Sequence, residues 1–253
     1  MTAPRVSLLG VHVSAFDLAT AAAEMQAAVL AGERLYACTC PVYTLMQGHE
    51  RPEVRAALNG ARWVTPDGMP VVWALRRLGA QQVGRVYGPD LLLALSAWAA
   101  QVGAPQFYLG GGPGVAEALA ANLQRRFPGL VVAGTAAPPY RPLTTTEDDA
   151  LVAQINQSSA AVVWVGLGSP KQDVWMARFR PRLTAPLLVG VGAAFDFFTG
   201  RQRQAPRWMQ RSGLEWLFRL ASQPGRLWRR YLIYNPKFLW HLGWQLAGLR
   251  QYD

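Results

Sequence analysis

The chain has 253 residues and a mass of 27.7 kDa, with 51% hydrophobic and 16% charged residues, a composition that excludes an extended disordered polypeptide and allows one large domain or a domain with an appendage. Its formal charge of +10 is unevenly placed: residues 1–200 carry 15 Lys and Arg against 13 Asp and Glu, whereas residues 201–253 carry 10 against 2. That basic tail also holds five of the ten tryptophans, and a positive, aromatic segment suits phosphate groups, nucleic acid or an anionic lipid surface.

The run "VSLLGVHV" opens the chain as a β-rich stretch; its apolar part is too short for a signal peptide and lacks a small-residue cleavage pattern, so export is not expected. Asp17 is a good cap for a helix through "LATAAAEMQAAVLAG". The strand "LYACTC" follows. Its Cys38 and Cys40, one residue apart, share a face and close no ordinary disulfide, so they read as small buried hydrophobes in a reducing cytoplasm. Further strands are expected at "ARWVT", "PQFYLGG", "LVVAGT", "AAVVWVGLG" and "APLLVGVG", with helices near 42–59, 69–79, 90–102, 114–126, 146–157 and 171–180. Several strands are continuously apolar, as in a parallel sheet covered on both faces. The fold class is α/β: a Rossmann-like, open, mostly parallel sheet sandwiched by helices over residues 1–200.

After Gly200 the alternation stops, and residues 201–253 read as a helical C-terminal appendage punctuated by Pro206, Pro224 and Pro236, each suited to a first helical turn. If Pro224 opens a helix, Arg226, Arg229 and Arg230 share one face, with Leu227, Tyr231 and Tyr234 on a neighbouring one. The run "KFLWHLGWQLAGL" is short of the ~20 apolar residues that span a bilayer, so it could lie on a membrane without crossing it.

Three glycine-rich turns follow expected strands: "YLGGGPG" with Gly110, Gly111 and Gly112, "VGLGSPKQD" with Gly166, Gly168 and Lys171, and "VGVGAAFD" ending at Asp196. Glycine lets backbone N–H groups approach a phosphate, and the carboxyl ends of parallel strands form the ligand crevice, so a nucleotide diphosphate is the natural ligand. Glycine also ends strands for steric reasons alone. None of the turns continues to Gly-Lys-Ser/Thr or completes G-x-G-x-x-G, because Lys171 stands where a third glycine is needed; a nicotinamide cofactor is demoted.

Asp67, in "WVTPDGMPVVWALRRLG", is either a helix cap or a carboxylate able to take a proton from a hydroxyl. Thr39, Arg85, Asp90, Gln172, Asp173 and Asp196 are further rim residues; Arg85 can pair with Asp90, and Gln172 can meet a sugar or only solvent. The scattered His12, His49 and His241 give metal chemistry little support, so no metal and no cofactor is expected. A noncatalytic nucleotide-binding module, recruited by the tail to anionic membrane or nucleic acid, is the alternative to an enzyme.

The blocks "TPDGMPVVWALRRLG", "RVYGPDLL", "FYLGGGPGVAEALAANLQRRFPGLVVAGT", "VGLGSPKQDVWM", "GVGAAFDFFTG" and "RQAPRWMQRSGLEWLFRLASQPGRLWRRY" together resemble the WecG/TagA/CpsF family of bacterial glycosyltransferases over nearly the whole length. The resemblance implies an inverting, metal-independent transfer of a hexose or N-acetylhexosamine from a UDP-sugar to a polyprenyl-diphosphate-linked sugar, in cell-surface polysaccharide or teichoic acid synthesis. It implies an enzyme peripheral on the inner face of the cytoplasmic membrane, with no nucleic-acid partner. Asp67 would be the general base, Thr39 and Gln172 would position substrate, and Arg85 would stand near the departing diphosphate. The glycine turns with Lys171 and Asp196 would hold UDP, and Arg219, Arg226 and Arg229 would grip the diphosphate of donor or acceptor. Relatives often carry Thr-x-Asn where this chain has Thr39-Cys40-Pro41, and "PKQE" where it has "PKQD", departures that bear on sugar specificity.

Overall fold

The computed structural model describes residues 3–252. Along the chain lie β1 (Arg5–Leu8), β2 (Val11–Ser14), α1 (Leu18–Leu30), β3 (Leu35–Cys40), α2 (Val42–Glu50), α3 (Pro52–Asn59), β4 (Trp63–Pro66), α4 (Met69–Arg77), α5 (Gly88–Val102), β5 (Gln106–Gly110), α6 (Val115–Arg126), β6 (Val132–Ala136), α7 (Thr145–Gln157), β7 (Val162–Gly166), α8 (Lys171–Phe179), β8 (Leu187–Gly190) and α9 (Ala194–Phe198). The C-terminal stretch adds α10 (Arg207–Arg211), α11 (Glu215–Ser222), α12 (Pro224–Trp228), a π-helical turn (Arg229–Ile233) and α13 (Tyr234–Leu246).

Among the described residues, one sheet has six strands in the order β4-β3-β8-β7-β5-β6, and the pairs β3–β8, β8–β7, β7–β5 and β5–β6 run parallel. This is the Rossmann-like α/β architecture expected from the alternation. The strand register explains the apolar runs: Val162, Val163 and Trp164 of β7 pair with Leu187, Leu188 and Val189 of β8, and all six are fully buried.

Four local readings change. The run "VSLLGVHV" is a hairpin rather than one strand: Leu9 and Gly10 take φ of 54° and 84°, turning β1 back on β2 in a two-stranded antiparallel sheet. The helix expected over 42–59 divides at Arg51, which is extended (φ −121°) because the following Pro52 disfavours the helical region there. The short helix α9 was not anticipated. In the tail, the expected shared arginine face is split: Arg226 and Arg229 are exposed while Arg230, about 100° further round the helix than Arg229, turns inward over Tyr43 at the start of a π-helical turn.

The chain forms two compact units. The first comprises the chain up to Leu18, Thr39–Tyr87 and the segment from Gln204. Within it α13 is fastened to the N-terminal hairpin by both ends of one amide: Gln245 accepts from the Leu9 N–H (3.0 Å) and donates to the Ser7 carbonyl (2.8 Å). It is fastened to α2 by an edge-to-face contact of Tyr234 with Tyr43 and by a Lys237–Glu50 ion pair of 2.8 Å.

The second unit comprises Ala19–Cys38 and Gly88–Arg203. Its interior contains one polar knot. The Gln106 side-chain oxygen accepts from Ser96 Oγ (3.0 Å), Tyr108 Oη (2.7 Å) and Trp164 Nε1 (2.9 Å), and Gln106, Tyr108 and Trp164 are fully buried. Replacing Gln106 with Leu strands these donors in an apolar interior; the expected outcome is a loss of about 2–4 kcal/mol of stability, read as a lower urea midpoint at unchanged slope.

Candidate active site

In the first unit a carboxylate stands among cations. Asp67 follows the last residue of β4, and its N–H donates to the carbonyl of Cys40 at the end of β3 (3.4 Å), next to the buried Thr39. Asp67 is not the cap of α4. That position belongs to Gly68, at φ 115°, and no side chain makes a cap hydrogen bond there. The Asp67 side chain is 16% exposed and its Oδ1 lies 3.7 Å from Nη2 of Arg85, beyond hydrogen-bond range.

Arg85 is held elsewhere. Its Nη2 donates to Glu215 Oε2 in an ion pair, its Nη1 lies 3.3 Å from Gln210 Oε1, and its guanidinium sits 4.0 Å from the centre of the Tyr87 ring. Gln210, itself buried, is fixed by donating to the Ala205 carbonyl (2.8 Å). Glu215 occupies the first turn of α11, and the approach of α11 depends on Gly213: at φ 76° it lies so close to Trp73 of α4 that a Cβ would stand 2.6 Å from that ring.

Burial pushes the Asp67 carboxyl up to about 6; Arg85 pulls it down, Glu215 pushes it further up, and Arg219 and Arg230 pull it down. Burial also raises the Tyr87 phenol and lowers the Arg230 guanidinium, which stacks 4.5 Å from the Tyr43 ring. The cluster therefore joins Asp67, Arg85 and Arg219 from the sequence reading. Arg226 and Arg229 are exposed, Arg229 resting 5.2 Å from the ring of its neighbour Trp228.

In the second unit the glycine turns have mainly steric causes. A Cβ on Gly110, which takes φ 126°, would stand 2.6 Å from the Gly166 backbone, its partner in the β5–β7 register, and a Cβ on Gly166 would meet the Phe195 ring at 2.8 Å. Gly111 lies against Val115, and Gly168 borders open space. Gln172, expected to meet sugar or solvent, is 1% exposed and braces two loops: its amide donates to Ser169 Oγ (3.2 Å) and accepts from the Gly192 N–H (3.1 Å). Lys171 is exposed at the start of α8, and the Asp196 carboxylate accepts from Gln202 Nε2. Arg201 Nη1 comes within 3.5 Å of where a Gly112 Cβ would stand, so a cation borders that turn.

Sequence reasoning missed Glu215, Gln210, Tyr87 and Arg201, and it placed Arg230 only on the tail's arginine face. Only Glu215 carried a signal: it is the sole acidic residue between 201 and 252, inside a strongly basic segment. Cys38 and Cys40 form no disulfide and are fully buried, as expected. No group of three or more His, Cys, Asp or Glu able to hold a metal ion exists among the described residues, and no described helix is long and apolar enough to cross a membrane.

The Rossmann-like α/β sheet carries glycine turns at its strand ends, and the first unit holds a buried carboxylate beside arginines. The chain matches the model of the glycosyl transferase WecG/TagA/CpsF family over residues 6–252, and it belongs to that family. It is a glycosyltransferase family of cell-surface polysaccharide synthesis.

Because folding raises the Asp67 pKa, its contribution to stability is greatest while the carboxyl is protonated and falls as pH rises from about 4 through about 6. Ionised Asp67 then costs the fold on the order of 3 kcal/mol. The Asp67→Asn variant is expected to melt at a higher temperature than the unsubstituted chain at pH 7.5 and to converge with it near pH 3.5, as followed by calorimetry.

Proposed function

We propose that the chain is an inverting, metal-independent transferase moving a hexose or N-acetylhexosamine from a UDP-sugar to a polyprenyl-diphosphate-linked sugar, with N-acetylmannosamine, its uronic acid or glucose as the transferred group. The observation that carries this reading is the Asp67 carboxyl, pushed up to about 6 inside a cluster of arginines in a member of a glycosyltransferase family. A base with that pKa is ionised at neutral pH yet basic enough to receive a hydroxyl proton as the transition state forms. The acceptor oxygen attacks the anomeric carbon, the bond from that carbon to the UDP oxygen breaks, and the acceptor proton passes to Asp67. Negative charge gathers on the departing diphosphate, where arginine side chains and backbone N–H groups are the natural counterweight.

Arg85 and Arg219 are proposed as diphosphate contacts, with Arg226 and Arg229 reaching the lipid-linked acceptor. Thr39 is proposed to position substrate, and Gln172 to do so indirectly, by bracing the loops it bonds. The turns of Gly110–Gly112, Gly166 and Gly168, with Lys171, Arg201 and Asp196, are proposed to hold UDP. Residues 1–200 are read as the glycosyltransferase core and 201–253 as the element that meets the membrane and closes the site.

The outer side of the C-terminal helices supports a place on the inner face of the cytoplasmic membrane. Leu232, Ile233, Leu239, Trp240 and Trp244 are exposed, the two tryptophan rings lie 5.4 Å apart, and Arg229 is exposed in the same helical stretch. Such a surface places indoles and leucines in the lipid interface and cations on anionic headgroups. No feature of the cluster calls for nucleic acid.

The deciding experiment is transfer from a panel of UDP-sugars to a synthetic polyprenyl-diphosphate-linked sugar with EDTA present, followed by product mass. A metal-free product is expected, with kcat/KM falling on the acid side through about pH 6 as Asp67 takes up a proton. The Asp67→Asn variant should lose roughly 10²–10⁴-fold in rate while retaining UDP affinity; normal transfer by this variant removes Asp67 as the base. For the membrane surface, the double variant Leu239→Glu, Trp240→Glu should reduce sedimentation with anionic liposomes at least about tenfold and leave UDP affinity unchanged. Undiminished sedimentation would place the lipid contact elsewhere.

A further inference from the structure

The guanidinium of Arg85 has two carboxylates within ion-pair reach and hydrogen-bonds only one. Its ion pair goes to Glu215, 130 residues further along the chain, while Asp67 stays at 3.7 Å with no hydrogen bond across the gap. Three further contacts hold this choice in place. Tyr87 lies against the guanidinium face, Gln210 Oε1 is near Nη1, and Gly213 seats the start of α11 against Trp73 so that Glu215 projects from its first turn. In a mobile arrangement, Arg85 and Asp67 would close into a bidentate pair, the strongest geometry open to those two groups.

We propose that Glu215 is a positioning residue that holds the Arg85 guanidinium off Asp67, so that the Asp67 carboxylate remains free to receive the acceptor proton. The role is distinct from catalysis itself: Glu215 acts through Arg85. The inference rests on the reading of Asp67 as the base. A carboxylate locked to an arginine is a poor base, because the pairing stabilises the ionised form and must be broken before a hydroxyl can approach. Glu215 both occupies Arg85 and adds a second negative charge beside Asp67. The charged and titratable groups that face Asp67 are Arg85, Glu215, Arg219, Arg230 and Tyr87; Tyr87 is uncharged, and of the rest only Glu215 opposes its ionisation.

The arrangement also gives the ion pair a consequence for substrate. A diphosphate that takes Arg85 as its counter-ion must compete with Glu215, so Arg85 is partly pre-oriented and already charge-satisfied before ligand arrives. Removing the Glu215 charge frees Arg85 toward both Asp67 and phosphate. A variant lacking it is expected to bind UDP more tightly, by severalfold, and to transfer more slowly, two effects that a loss of folding would not produce together.

The test is the carboxyl titration of Asp67 by 13C NMR on the full chain without ligand, the resonance assigned by its absence in Asp67→Asn. Glu215→Gln is expected to lower the Asp67 midpoint by about one pH unit or more. Glu215→Asp, which keeps the charge but retracts it by one methylene, should give a smaller displacement in the same direction, and it carries the test if the Gln variant does not fold. The acid limb of kcat/KM for the UDP-sugar and acceptor that the unsubstituted chain uses should move with the titration, and the plateau should fall about tenfold in Glu215→Gln. An Asp67 midpoint unchanged in whichever variant folds overturns the proposal. A midpoint that moves while the acid limb stays in place upholds the positioning by Glu215 and overturns instead the assignment of Asp67 as the base.

Discussion

The ion pair between Arg85 and Glu215 is the constraint on which the first unit turns. It joins the segment Thr39–Tyr87 to the segment beyond Gln204, and neither of these contains the other's partner. Both side chains are only about one-seventh exposed, so taking their charges out of water is costly, and that cost is offset by the attraction between them, by Gln210 beside Nη1 and by the Tyr87 face, while Nε of Arg85 stays buried without a hydrogen bond. Such a pair is weak evidence for stability. It is better evidence for specificity, because a hydrophobic replacement would hold the segments together without deciding where Arg85 points.

Asp67 inherits its chemistry from that decision. A carboxylate in full contact with arginine would titrate well below its ordinary value, and one buried alone would titrate far above it. Burial dominates here, tempered first by Arg85 and then by the more distant Arg219 and Arg230. The outcome is a group poised near neutrality, at a cost in stability that folding elsewhere in the unit must absorb. The hairpin clasp of Gln245 and the Tyr43–Tyr234 contact are among the interactions that do so.

The second unit works by close packing. Gly110 and Gly166 are glycines because two parallel strands and the Phe195 ring converge where the strands end, and Gly112, two residues beyond Gly110, has Arg201 beside it. Gln172 ties the loop after β7 to the loop after β8 and so sets the shape of two turns.

The alternation of apolar strands with helices, the steric limits of Cys38 and Cys40 and the concentration of charge after Gly200 were all set by local sequence, because periodicity, spacing and composition act over a few residues. So was the place of Asp67 at a strand end. The break at Arg51–Pro52 was equally local, and a stricter reading of the proline would have found it. The sequence could not show that "VSLLGVHV" folds back on itself, since the turn at Leu9 and Gly10 rests on a left-handed leucine that propensity disfavours. Nor could it show which of the three arginines faces the protein, because that depends on Tyr43 of α2 standing beside Arg230. Above all, the partner of Arg85 lay out of reach: Glu215 stands 130 residues away, and only the packing of α11 against Trp73 brings it to the guanidinium. Local chemistry determined which residues could act, and tertiary structure decided which charges meet, because electrostatic energy depends on distance in space and not on distance along the chain.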